Sequence, residues 1–167
     1  MKDCWEAIVD SSKWAEKDLP GILARVKPDV ICVDNVILFP AIKRYAKENG
    51  KPWVRIISCS ENEIEDDAIP PHMSGCGEND TACHTAFRYR FNEVIKPIHD
   101  DFHGFLKTCG EAEYPLCLFF DASPHMNLPL SPVPAQFPRG EPPDAGQVHY
   151  LDRLVPAAEA YVAPTVR

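Results

Sequence analysis

The sequence predicts an α/β fold: a partial parallel sheet with flanking helices, followed by a Pro-rich, irregular C-terminal third. Three observations predict it. Two short apolar runs, 30–33 and 53–57, bracket an amphipathic stretch at 39–49. Strand, helix, strand at that spacing is a βαβ unit, with a parallel pair and a right-handed crossover. A second amphipathic stretch, 81–108, is long enough to cover such a sheet. Finally, ten of the 17 prolines lie from Pro115 onward. Proline is excluded from helix interiors and central strands, so regular structure belongs to the first two thirds.

The elements follow in order. Trp5, Ile8, Val9, Trp14, Leu19, Ile22, Leu23 and Val26 recur at three- and four-residue intervals, more regularly in the second half, and predict helix over 3–26. Leu19-Pro20-Gly21 predicts a kink or a break into two helices. The run Val30-Ile31-Cys32-Val33 ends at Asp34-Asn35 and has the profile of a strand buried on both faces. Phe39-Pro40-Ala41-Ile42 opens the next helix, and Asn49-Gly50 supplies its C-cap. Pro52 precedes the second strand. Residues 58–80 form a long loop rich in acids, proline and glycine, a length usually tied to function or disorder. Asp80 or Thr81 caps the helix at 81–108, whose stripe is Phe87, Phe91, Val94, Ile95, Ile98, Phe102, Phe105 and Leu106. Pro97 predicts a kink in it and Cys109-Gly110 its end. Short extended pieces are expected at 116–120, 126–130 and 148–151.

Composition excludes some functions. The 167 residues fit one domain, and 45% apolar with 25% charged residues is ordinary for a globular chain. A net charge of −8 repels nucleic-acid phosphates and anionic lipid surfaces, so no nucleic acid is expected as a partner. The longest apolar run falls far short of the ~20 residues that cross a bilayer, so no membrane span is expected. No apolar leader follows Met1, Lys2 and Asp3, which points to the cytoplasm. Seven cysteines at irregular spacing are then expected to be reduced, most of them as small apolar residues.

Four segments in series carry a resemblance: PDVICVDNVILFPAI (28–42), KPWVRIISCSENEIE (51–65), PPHMSGCGEND (70–80) and SPHMNLPLSPVP (123–134). Their order and spacing across about 20–155 resemble the bacterial macrolide-type, UDP-glycosyltransferase-like enzymes. The resemblance implies a GT-B fold of two Rossmann-like halves, of which residues 1–155 would be part of the N-terminal acceptor-binding domain and 156–167 the interdomain linker. It implies transfer of a hexosyl group from a nucleotide sugar, a UDP-sugar, to a hydroxyl of a small lipophilic acceptor, with a general base taking the hydroxyl proton. The family's base is a histidine just after the first strand, and no histidine precedes His72 here. No match to the donor domain's diphosphate signature is present either. The resemblance therefore implies no catalytic residue and no bound cofactor in this chain alone, with the donor-binding domain supplied in cis or in trans. Position 42, where plant-type members carry the carboxylate partner of that base, is an isoleucine.

Candidate acceptor-binding residues follow from placement. Ligands of open α/β sheets gather beyond the carboxyl ends of the strands, which selects Asp34, Asn35 and Cys59. The alternative for Asp34 is that it caps the following helix. His72 and Met73, in the long loop, and Asn127, after a Ser-Pro turn, complete the set. Phe87 and Phe91 suit either a pocket lining or plain core. The acidic run 61–67 is either a solvated surface or a cover over the acceptor.

No metal site is expected. His99 and His103 share a helix face at i, i+4, but a third ligand is not apparent and both are expected at the solvent edge. Cys76, Cys83 and His84 match no common zinc spacing. Ser74-Gly75-Cys76-Gly77 contains a G-x-G outside any strand-to-helix context, so it is not a phosphate loop.

Overall fold

In a computed structural model of the protein, residues 2–34, 39–58, 66–115, 118–131, 136–139 and 146–151 are described. Their elements in chain order are α1 (Lys2–Val26), β1 (Ile31–Asp34), α2 (Pro40–Asn49), β2 (Trp53–Ile57), α3 (Thr81–Thr108) and β3 (Met126–Pro129). The three strands form one sheet in the order β1-β2-β3, and both pairs are parallel. The βαβ expectation is thus met, with α2 as the crossover.

Of the kink or break expected at Leu19-Pro20-Gly21, α1 excludes the break. It runs through Pro20 as one helix. Leu19 and Leu23, on either side of that proline, pack on the α2 cluster. Tertiary burial of this kind routinely outweighs one lost helix hydrogen bond. At its end, Lys27 adopts a left-handed φ of 52° and donates its N–H to the Leu23 carbonyl at 2.9 Å. α2 ends as predicted at Gly50, with φ 60° and its N–H on the Ala46 carbonyl. α3 is capped by Asp80, whose side chain accepts from the Cys83 N–H at 2.9 Å.

The sheet is covered on one face. Ile31, Val33, Trp53, Arg55, Ile57, Asn127 and Pro129 share that face by register. A cluster of Leu23, Ala41, Ile42, Ala46 and Trp53 packs there, with Ile31 and Val33 at its border. On the other face Val54, Ile56, Met126 and Leu128 are half-buried and Cys32 and Asp34 are exposed. The expectation that β1 is buried on both faces is therefore corrected: its residues alternate between half-buried and exposed. Apolar content alone does not distinguish a strand with one covered face from one with two when the run is only four residues long.

A second cluster joins α1 to α3. Val9, Ile95, Ile98, Phe102, Leu106 and Phe119 are buried together. Trp5 stacks on Phe119 at 4.5 Å between ring centroids. Phe39 packs against both clusters. The 146–151 segment lies beside β3. Asn127 N–H donates to Gln147 O at 2.7 Å, His149 N–H to Asn127 O at 2.9 Å, and Leu151 N–H to Pro129 O at 3.1 Å. Where a full strand was expected at 148–151, one parallel bridge, Asn127 with Val148, is found. Among the described residues no helix is long and apolar enough to cross a membrane.

Candidate functional site

The candidate site begins at the carboxyl ends of β1 and β2. Asp34 closes β1, and Ser58 follows β2. The Ser58 hydroxyl donates to Asp34 Oδ1 at 2.6 Å. Both residues are exposed. Parallel pairing forces this meeting, because Asp34 stands level with Ile56 and Ser58 is one alternation further on the same face. The helix-cap alternative for Asp34 is excluded: α2 starts at Pro40 with Phe39 at its N-cap position, five residues later. An exposed carboxylate paired with a hydroxyl can orient another hydroxyl by accepting its proton in a hydrogen bond.

Behind this pair, β2 carries a buried cation. Arg55 is level with Val33 and Asn127 on the covered face, and its guanidinium lies 4.2 Å from the Phe120 ring centre. Stacking on an aromatic face is one way a guanidinium is accommodated inside a protein. Sequence reasoning assigned no role to Ser58 or Arg55. The available signals were a serine one residue past a strand and a lone charge in the apolar run WVRII.

Asn127 is buried, and its amide is engaged. Oδ1 accepts from Ser123 N–H at 2.8 Å, while Nδ2 donates to Ser123 O at 2.9 Å and to Gln147 O at 3.3 Å. Ser123 in turn donates from Oγ to Trp53 O at 2.6 Å. The Ser-Pro turn is thereby tied to β2.

His72 and Met73 sit in the 66–80 loop, which is fastened to α3. Arg88 donates to the carbonyls of Asp66 and Ile69, both at 3.4 Å, and Ile69 is buried. His72 is half-buried, and that burial holds its imidazole below the ordinary range. Burial therefore favours its uncharged form. Met73 is 70% exposed and has a left-handed φ of 61°. A side chain other than glycine in that conformation costs about 1–2 kcal/mol, and here the strained backbone presents an apolar thioether to solvent. Asn35, Cys59 and most of the acidic run 61–67 lie outside the described residues.

Two further expectations are corrected. His99 is buried, not at the solvent edge, and His103 is half-buried beside it at 4.0 Å between ring centroids. Their nitrogens engage the backbone of Pro115 and Tyr114. The cysteines are not uniformly reduced and apolar: Cys76 and Cys83 form a disulfide, and Cys4 and Cys32 are exposed thiols. The turn through residues 77–80 reverses the chain into α3 and brings the paired Cα atoms to 5.8 Å, within bridging range. Phe87 and Phe91 stack at 5.9 Å, and Phe91 borders the α1–α3 cluster. Among the described residues no group of three or more His, Cys, Asp or Glu side chains is gathered closely enough to hold a metal ion. Compared with known proteins, the sequence matches no protein-family model and no curated protein significantly.

Proposed function

We propose that this chain is the acceptor-side portion of a GT-B-type glycosyltransferase, with Asp34 and Ser58 at the mouth of the acceptor cleft. In this reading the complete enzyme transfers a hexosyl group from a UDP-sugar to a hydroxyl of a small lipophilic acceptor. The observation that carries it is the Asp34–Ser58 pair at the carboxyl ends of parallel strands, in a chain whose four segments follow the family's order. Ligands of open parallel sheets lie beyond those ends. The exposed Met73 and half-buried His72 supply the mixed apolar and polar surface that a lipophilic alcohol needs. The base and the diphosphate site belong to other parts of the enzyme, in cis or in trans. The same reading puts the protein in the cytoplasm.

The test is titration calorimetry of the isolated chain with UDP-glucose at millimolar concentration. No saturable heat is expected, since no phosphate-cradling loop is part of the reading. Saturable binding would overturn the acceptor-side assignment.

One observation favours a second reading, a non-catalytic domain that binds a lipophilic small molecule or a partner protein. The sheet face of Val54, Ile56, Met126 and Leu128 is only half-buried, and parallel sheets ordinarily bury both faces. A chain that stays monomeric by light scattering and takes up no lipophilic probe would count against it.

A further inference from the structure

The Cys76–Cys83 bridge joins the end of the 66–80 loop to the first turn of α3. Both cysteines are half-buried, so the bridge is reachable from solvent. Cys83 lies where the helix presents its N-terminal amides, and its own N–H is held by Asp80. The next residue, His84, is buried. Its Nε2 lies 2.9 Å from the Gly77 carbonyl, inside the ring that the disulfide closes, and its Nδ1 has no hydrogen-bond partner among the described residues.

We propose that Cys76–Cys83 is a thiol–disulfide exchange site that accepts two electrons from a dithiol, and that its opening releases the 70–80 segment, carrying His72 and Met73, from the start of α3. A thiolate of the dithiol attacks Cys76 Sγ and forms a new S–S bond. The Cys76–Cys83 bond breaks, and its electron pair stays on Cys83 Sγ, the better leaving group because a helix N-terminus stabilises a thiolate. The second thiolate of the reagent then attacks the reagent's own sulfur in the mixed disulfide and expels Cys76. The reagent departs as its disulfide, and the two protons it has lost end on the two cysteines.

The surroundings suit a reversible change. Arg88 and the buried Ile69 hold the beginning of the loop independently of the bridge. The His84–Gly77 contact opens with the segment, while the Asp80 cap on the Cys83 N–H keeps the start of α3 in place for reoxidation. Disulfides in reducing compartments are mostly exchanging ones of this accessible kind. The proposal does not rest on glycosyl transfer, though it takes over the cytoplasmic placement proposed with it.

The full chain would be equilibrated in graded ratios of reduced to oxidised dithiothreitol, then alkylated and mapped by peptide mass spectrometry. Hydrogen exchange and far-UV circular dichroism would be followed on the same samples. Cys76 and Cys83 should become alkylated together and reversibly, with the helix signal unchanged and exchange across 70–80 faster by roughly tenfold. Opening that requires urea, or that abolishes the helix signal, would make the bridge a structural staple and overturn the proposal. A Cys76→Ser/Cys83→Ser variant should keep its helix signal and show the fast 70–80 exchange without any dithiol. Slow exchange there, or an unfolded variant, would overturn it as well.

Discussion

His99 and His103 join the last turns of α3 to the chain that follows. His99 Nε2 donates to Pro115 O at 2.9 Å, and His103 Nε2 accepts from Tyr114 N–H at 3.0 Å. Burial first, and the neighbouring His103 second, hold His99 below its ordinary imidazole range, against a smaller opposing effect of the Pro115 carbonyl. The sign follows. A folded value below the unfolded one means that stability is fully present above the ordinary histidine range and is lost as the pH falls through the folded value. The urea midpoint should therefore fall as the pH is lowered through the histidine range. His103→Gln keeps an acceptor near Tyr114 but removes the neighbouring ring that helps to hold His99 down, so it should weaken that dependence. An equally steep decline in the variant would exclude the pair as its source. The i, i+4 spacing of these residues was legible in the sequence, but their burial was not. It depends on backbone groups of Tyr114 and Pro115 that reach them from an irregular segment, which no helix periodicity registers.

At the scale of elements, the start of α2 is held from outside. Phe39 occupies its N-cap position and makes no side-chain cap. Glu16 of α1 supplies it instead: Oε2 accepts from Ala41 N–H at 2.8 Å, while the other oxygen pairs with Arg44 one turn further along α2. Glu16 is largely buried, at 12% side-chain exposure, so the carboxylate is both a cap and an ion-pair partner shielded from water. Glu16→Ala should destabilise by about 1–3 kcal/mol, from a cap lost and an amide left unpaired. Glu16→Gln, which retains an oxygen acceptor, should cost less. Urea unfolding of the two variants decides it, and equal costs would mean that the charge on Arg44, not the cap, is what matters. α2 was legible because Pro40 and Gly50 mark its ends, and α3 because its stripe is long and its cap Asp80 is a good one. The capping role of Glu16 and the continuity of α1 through Pro20 were not. Both come from packing between residues far apart in the chain, which a local pattern does not contain.

At the scale of the whole molecule, a sheet covered on one face meets a helical cluster, and Phe39 packs against both. The parallel pair β1–β2 follows from strand, helix, strand alone, and Asp34 could be placed at its carboxyl end for the same reason. The position of β3 could not, since it returns after α3 and an irregular stretch, and neither could Ser58, whose meaning depends on the register that sets it beside Asp34. The two clusters carry separate reporters. Trp5 is stacked on Phe119 in the α1–α3 cluster, and Trp53 is buried in the sheet cluster, while Trp14 is 69% exposed. Variants that keep only Trp5 or only Trp53 would therefore follow each cluster in turn. Because Phe39 packs against both, the two urea transitions should coincide, as they do for a cooperative domain. Phe39→Ala should lower the stability by roughly 2 kcal/mol, less than the about 3–5 kcal/mol of a fully buried phenylalanine because this one is half-buried. It should also pull the transitions apart, with Trp53 reporting first, since the sheet cluster is bordered by a face that water reaches. Transitions that already differ in the parent chain would mean that the clusters unfold separately and that Phe39 does not couple them. Transitions that remain coincident in the variant would shift the coupling to α1, whose Val9 and Leu23 are buried in one cluster each.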